Sequence, residues 1–142
     1  MSAFTPAEIA YLQSQRLGRI ATTGPDCRPH VVPVGFRYNP EYDTIDVGGH
    51  DFSKKKKFRD VQQNPHVAIV IDDLVSVSPW RVRGIEIRGE AEILASGGQA
   101  FGPGYEPAMF RIHPKRVYSW GLEPGPAQPA RPARQEDKNP SA

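Results

Sequence analysis

The chain has 142 residues and a mass of 15.7 kDa, enough for one domain around one modest core and too little for a sizeable second domain. Its net charge of +2 is too small to argue for nucleic acid, so any basic function has to come from local clustering. The single Cys27 excludes an internal disulfide, and no apolar run approaches the roughly 20 residues of a membrane span.

The start, MSAFTPAEIAYLQSQ, lacks the basic residues and apolar stretch of a secretory signal, which leads us to expect a cytoplasmic protein. Thr5, Pro6 and Glu8 form a helix start: Thr5 can cap, Pro6 suits the first helical position, and Glu8 completes a capping box. Ile9, Leu12 and Leu17 give this helix a partly apolar face, and Gly18 is placed to end it. Ile20 to Thr23 reads as a strand stopped by Gly24, Pro25 and Asp26. Cys27 lies in that polar turn, with no neighbouring group to activate it, and reads as a surface thiol.

From His30 to Tyr38 the residues are strand formers, but Pro33 cannot donate to a central ladder and belongs at an edge, a bulge or a ligand. Asn39, Pro40 and Glu41 turn the chain into Thr44 to Val47, so residues 30 to 49 are expected to form a hairpin ending in Gly48 and Gly49. Lys54 to Gln63 fits a short helix with a cationic polar face, since Phe58 and Val61 lie three apart. His66 to Asp73 reads as a core strand, and Ile85, Ile87, Gly89, Ala91 and Ile93 mark a long alternating one. Residues 96 to 109 read as loop, and Arg116 to Trp120 as a last strand. Beyond Leu122 the chain is Pro, Ala and charge, expected to be a disordered tail over residues 123–142, and removing residues 124 to 142 is expected to leave folding and cofactor affinity intact. The folded domain is expected to be residues 1–122.

Several chemistries lack their residues. There is no P-loop, no dinucleotide-binding glycine turn and no G-x-S-x-G elbow. His30, His50, His66 and His113 are scattered, without the spacing of a metal site. What remains is an anion site: a proline-interrupted strand, then Gly48 and Gly49, then Ser53 and four lysines. Lysines in helical sequence project about 100° apart, so only one or two can face a given ligand. Lys55 and Lys57 are the expected pair if the segment enters in extended form, against the plain alternative of a solvated basic face.

The order R-I-A-T-x-G-P-D-x-x-P-H-V-V-P-V, then D-V-G-G, K-K-F-R-D-V-x-x-N-P-x-V-A, G-I-E-I-R-G-E-A and P-K-R-V-Y-S-W-G resembles the pyridoxamine 5'-phosphate oxidase-like split-barrel family, and within it the deazaflavin-dependent branch. The resemblance runs over residues 8 to 121. It implies a mainly β fold, an FMN-binding type of split β-barrel with a few short helices, paired as a homodimer that holds a cofactor at its interface. By position in the matching segments, Lys55 and Lys57 would meet the cofactor phosphate, with Gly48 and Ser53 beside them. Val32, Pro33 and Val34 would run their backbone along the ring. Trp80, Arg81 and Arg83 would close the cleft, from the same subunit or its partner, and Trp120 would lie near the ring or in the core.

The resemblance leaves FMN, coenzyme F420 and haem open. Haem needs an axial ligand, and no histidine here sits in a motif assignable to that role. F420 adds a tail of several carboxylates to its phosphate, and Lys54 to Lys57, Arg59, Arg81 and Arg83 offer more positive charge than one phosphate requires. The expected function is hydride transfer between F420 and a small-molecule substrate. An FMN enzyme, a cofactor-binding protein without turnover and, last, a nucleic-acid module are the alternatives.

Overall fold

A computed structural model of the chain describes residues 1–123 and 131–133. Six antiparallel strands follow one another as β1 (Leu17–Thr23), β2 (Pro29–Asn39), β3 (Thr44–Val47), β4 (His66–Ser76), β5 (Arg81–Leu94) and β6 (Met109–Trp120). In space their order is β3-β2-β1-β4-β5-β6, and β6 pairs back with β3 to close a barrel. Helix α1 (Pro6–Ser14) precedes β1, and α2 (Lys56–Gln63) lies between β3 and β4. A short β7 (Arg131–Pro132) adds to the outer edge of β6.

Alternation decides which side chains fill the barrel. Ile20, Ile45, Ile69, Ile71, Ile85, Ile87, Phe110, Ile112 and Val117 are all fully buried, and each such side chain contributes about 1.5 to 3 kcal/mol by leaving water. The run His66–Asp73 divides in the same way, with Val67, Ile69 and Ile71 turned inward and Ala68 and Val70 half-buried outside. Phe52 and Phe58 meet Phe110 with ring centroids 4.6 and 5.9 Å away, and so pin the segment carrying the lysines to the barrel.

Helix α1 begins as its residues predict: Thr5 accepts from the Glu8 backbone, and Glu8 accepts from Thr5 in a complete capping box. It ends four residues before Gly18, because Gly18 is needed in β1. A methyl group there would stand 3.1 Å from both Ile71 Cγ1 and the Val70 carbonyl. The last barrel strand starts at Met109, seven residues before the expected Arg116, so residues 110 to 115, to which the sequence reading gives no element, are barrel wall. Pro114 hid that continuity. It sits at a register shift where Gly89 opposes it, and a side chain on Gly89 would lie 2.1 Å from the His113 carbonyl.

The expectation of an unpacked tail fails at residues 131–133. Arg131 reaches back to α1, donating to the buried Glu8 carboxylate, while the Ala133 amide donates to Lys115 and its side chain is buried. Nothing in the Pro-rich composition signals this, since the interaction depends on one arginine meeting one acid more than a hundred positions away. Residues 124–130 and 134–142, the rest of the expected tail, lie outside the described residues. Among the described residues no helix is long and apolar enough to cross a membrane.

Candidate cofactor site

The barrel is split along β2. Of its 11 residues, Phe36 to Asn39 pair with β3, while Pro29 to Gly35 pair with β1 alone. The Phe36 amide donates to the Arg16 carbonyl, so by strand alternation Val31 and Pro33 turn their backbone groups away from β1, toward the unpaired edge. Pro33 therefore removes no ladder bond, and the Val31 amide and carbonyl face that edge, where no strand among the described residues pairs with them. The side chain of Val34 is buried in the barrel, that of Val32 is half-buried, and Pro33 is exposed.

Beyond Val47 the chain leaves the barrel through Gly48 and Gly49. A left-handed Asp51 (φ 49°) then turns it into a single 3-10 turn, Phe52–Lys54. Lys55 is extended (φ −83°, ψ 152°) and caps α2, which starts at Lys56. The four lysines thus separate as the geometry requires. Lys56 turns to Asp60 at 2.9 Å, and Asp60, itself buried, also accepts from Thr22 at 2.8 Å. Burial alone pushes the Asp60 carboxyl up, but Lys56 and Thr22 outweigh it and hold it below the usual value. Lys56 is thereby a structural residue that fixes α2 to β1, a role its position in a basic run did not announce.

Lys57 differs. Its ammonium lies 5.2 Å from the centre of the Phe52 ring and is half-buried. Burial, and after it the charge of Lys55, lowers its pKa. Among the described residues neither Lys55 nor Lys57 has a carboxylate partner. Two cations sharing one neighbourhood, one of them partly withdrawn from water, cost free energy until an anion joins them.

Ser53 stands beside them, but its donors are engaged. Its amide and hydroxyl donate to the two oxygens of Glu106 at 2.7 and 2.8 Å, which hold the Glu106 carboxyl below its usual value. Glu106 ends a segment that passes over the site. A side chain on Gly48 would lie 3.2 Å from the Phe101 ring, and one on Gly35 would lie 3.5 Å from the Tyr105 hydroxyl. Tyr105 stacks on Phe101 and leans on His50, whose Nδ1 donates to the Gly104 carbonyl at 2.7 Å. Phe101, Tyr105, Glu106 and His50 are absent from the sequence-predicted site. The glycines and prolines of residues 97 to 104 signal turns there but not what the turns cover.

Gly48, Ser53, Lys55 and Lys57 lie along one segment, residues 48 to 57, and Tyr105 links its start to the unpaired β2 edge by lying against both Gly48 and Gly35. The structure does not bring Trp80, Arg81 or Arg83 to that segment: none of their hydrogen bonds, ion pairs or ring contacts reaches it. Trp80 is exposed at the β4–β5 hairpin tip, among the exposed Leu74, Val75, Val77 and Val82. Arg83 donates twice to Asp73 and lies 5.0 Å over the Tyr11 ring. Trp120 packs beside Tyr118 and closes over Gly84, where a side chain would come within 2.5 Å of its ring. A separate groove of about 430 Å³ on the outer barrel wall is lined in part by Thr23, His66, Arg88, Lys115 and Arg116, none of them predicted site residues.

The model of the family described as pyridoxamine 5'-phosphate oxidase matches residues 4–135. The chain is 43% identical over 120 residues to a 5a,11a-dehydrotetracycline/5a,11a-dehydrooxytetracycline reductase of Streptomyces rimosus subsp. rimosus, covering 84% of each. Among solved structures it is similar to an F420 reductase (TM-score 0.63, 23% identity, 80% of this chain and 98% of that one). It is also similar to a FAD-binding protein of Mesorhizobium loti (TM-score 0.59, 18% identity, 82% and 93%). At these identities the two structures speak for the fold, which is the split barrel. With its closed six-stranded barrel, its unpaired β2 edge and a family match over nearly its whole length, the chain belongs to the pyridoxamine 5'-phosphate oxidase family, a family of oxidoreductase type.

Proposed function

We propose that this protein is a reductase that holds coenzyme F420 in the paired clefts of a homodimer and passes hydride to a small organic acceptor. The observation that carries the reading is the pair Lys55 and Lys57, two cations without a carboxylate partner among the described residues, on a segment that Tyr105 links to the unpaired β2 edge. These residues fit the cofactor: the two ammonium groups would hold its phosphate, and the Val31 backbone and exposed Pro33 would meet its ring. The deazaflavin, when bound, supplies the hydride. The protein's own part is to fix the ring against β2, orient the acceptor and keep water out. No acid or base is assigned.

F420 is favoured over FMN by charge. Lys56 and Arg83 are committed to Asp60 and Asp73, and Arg59 donates to the Lys54 carbonyl. Lys54, Lys55 and Lys57 remain in that one segment, still more positive charge than one phosphate needs. The name of the F420 reductase agrees with this reading. FMN is the second reading; the name of the FAD-binding neighbour supports a flavin in place of a deazaflavin. The 43% identical relative, named as a reductase of dehydro compounds, supports hydride moving from cofactor to substrate.

The homodimer is expected because the hairpin tip with Trp80 leaves five large apolar side chains in water. Sedimentation at micromolar concentration tests it, with a dimer expected and a monomer alone counting against it. Mixing the protein with reduced F420 and unsaturated polycyclic acceptors tests the activity. Loss of the reduced-cofactor signal only when protein and acceptor are both present is expected, while tight binding without any oxidation across the series favours a binding protein without turnover.

A further inference from the structure

Ser53 lies two residues before Lys55, in the segment where the cofactor's anionic group is proposed to bind, and a side chain of the same protein already occupies its donors. Glu106 accepts from both the Ser53 amide and its hydroxyl, in the two-point geometry an incoming oxyanion would use. Each of those hydrogens serves one acceptor well, and a second anion approaching them would meet a like charge at short range. Binding through Ser53 and the Ser53–Glu106 contact therefore exclude each other.

Glu106 also ends a segment whose turns rest on glycines. Gly97, Gly102 and Gly104 have φ of 116°, 144° and 83°, angles that other residues rarely adopt, and they divide the stretch into short pieces. Phe101, before Gly102, covers Gly48, and Tyr105, after Gly104, reaches Gly35, so the segment touches both the start of residues 48 to 57 and the β2 edge. Besides the Ser53 contact, the Glu106 amide donates to the Gly49 carbonyl and His50 holds the Gly104 carbonyl.

We propose that Glu106 is a removable stand-in for the cofactor's anionic group: its carboxylate holds Ser53 in the free protein and is exchanged for a cofactor oxyanion on binding, which releases residues 97 to 106 as a lid. The exchange rests on the cofactor reading above. Its ligand is an oxyanion, either the phosphate common to FMN and F420 or a carboxylate of the F420 tail.

Fluorescence titrations of F420 and of FMN against the wild type and Glu106→Gln test the exchange, with melting temperatures recorded for both proteins. Glu106→Gln keeps size and removes charge, and it is expected to bind F420 about three- to tenfold more tightly than the wild type. A gain with both cofactors assigns the exchanged group as phosphate, and a gain with F420 alone assigns it as a tail carboxylate. Unchanged or weaker binding by the variant, while the wild type binds, overturns the exchange and makes Glu106 a plain loop brace. Absence of binding by both proteins overturns the cofactor reading itself, and the exchange with it. Should the variant melt far below the wild type, hydrogen exchange on the wild type decides: amides of residues 98 to 106 exchange faster with saturating F420 if the lid is released, and unchanged or slower exchange rejects it.

Discussion

Glu8 and Lys57 are both ionisable groups drawn away from water, and the protein surrounds them in opposite ways. Glu8 is buried with every oxygen engaged: the Thr5 amide, the Ser119 hydroxyl and the Arg131 guanidinium all donate to it. Burial on its own raises its pKa, but Arg131, Ser119 and Thr5 more than reverse this and hold it below the ordinary 4.5. Lys57 has an aromatic ring and a second lysine for neighbours, and its pKa moves in the direction that disfavours its charge. A saturated charge cluster reads as structure, and a cation set against another cation reads as a place waiting for an anion.

If that contrast holds, breaking the first cluster damages folding and breaking the second damages binding. Ending the chain at Glu123 removes Arg131 and β7 and leaves the buried Glu8 carboxylate without its cation. The expected loss is about 3 to 5 kcal/mol of stability in urea denaturation, with the Lys55 and Lys57 site retained. A truncated chain as stable as the full one would mean that Glu8 finds other partners.

Replacing Lys55 and Lys57 together with Ala should weaken F420 binding by about 2 to 4 kcal/mol by fluorescence titration, since charge-assisted bonds in a sheltered cleft are individually worth roughly 1.5 to 3 kcal/mol. Its melting temperature should stay within a few degrees of the wild type, because no carboxylate loses a partner. Equal weakening from Lys54→Ala would return the run to a solvated face whose charges act through a screened field.

Lys56→Ala sharpens the comparison inside the lysine run. It should cost about 1 kcal/mol of stability by leaving Asp60 with Thr22 alone, and should leave cofactor affinity unchanged. The smallest effect concerns pH. Glu8 and Asp60 both have lowered pKa in the folded state, so their contribution is present above the unfolded values and is lost as pH falls through the lowered ones. Melting temperatures taken from neutral to acid pH should therefore fall, and Glu8→Gln should make the fall shallower while lowering the neutral value.

How much of this was legible depends on how local the signal is. The capping box of α1, the alternation of β5 and the hairpin of β2 and β3 are written within a few residues of each other, and each element stands where its residues predict. Gly18 misled because a glycine after an apolar face can end a helix or allow strands to approach closely, and only the register of β1 against β4 decides which. The split of the barrel was legible in Pro33, a strand residue without an amide to donate. Glu106 and Arg131 were not, since each acts on a partner far away in sequence, Ser53 and Glu8, through a contact that neither composition nor spacing encodes.

Lys55 and Lys57, with the unpaired β2 edge, are proposed to form a site for F420. Parallel titration of F420 and FMN against the wild-type protein, at low and at physiological salt, tests this most directly. Tighter binding of F420 than of FMN is expected at both salt concentrations, with the steeper salt dependence for F420 because it carries more anionic groups. Binding of FMN with no measurable binding of F420, or binding of neither, would contradict it.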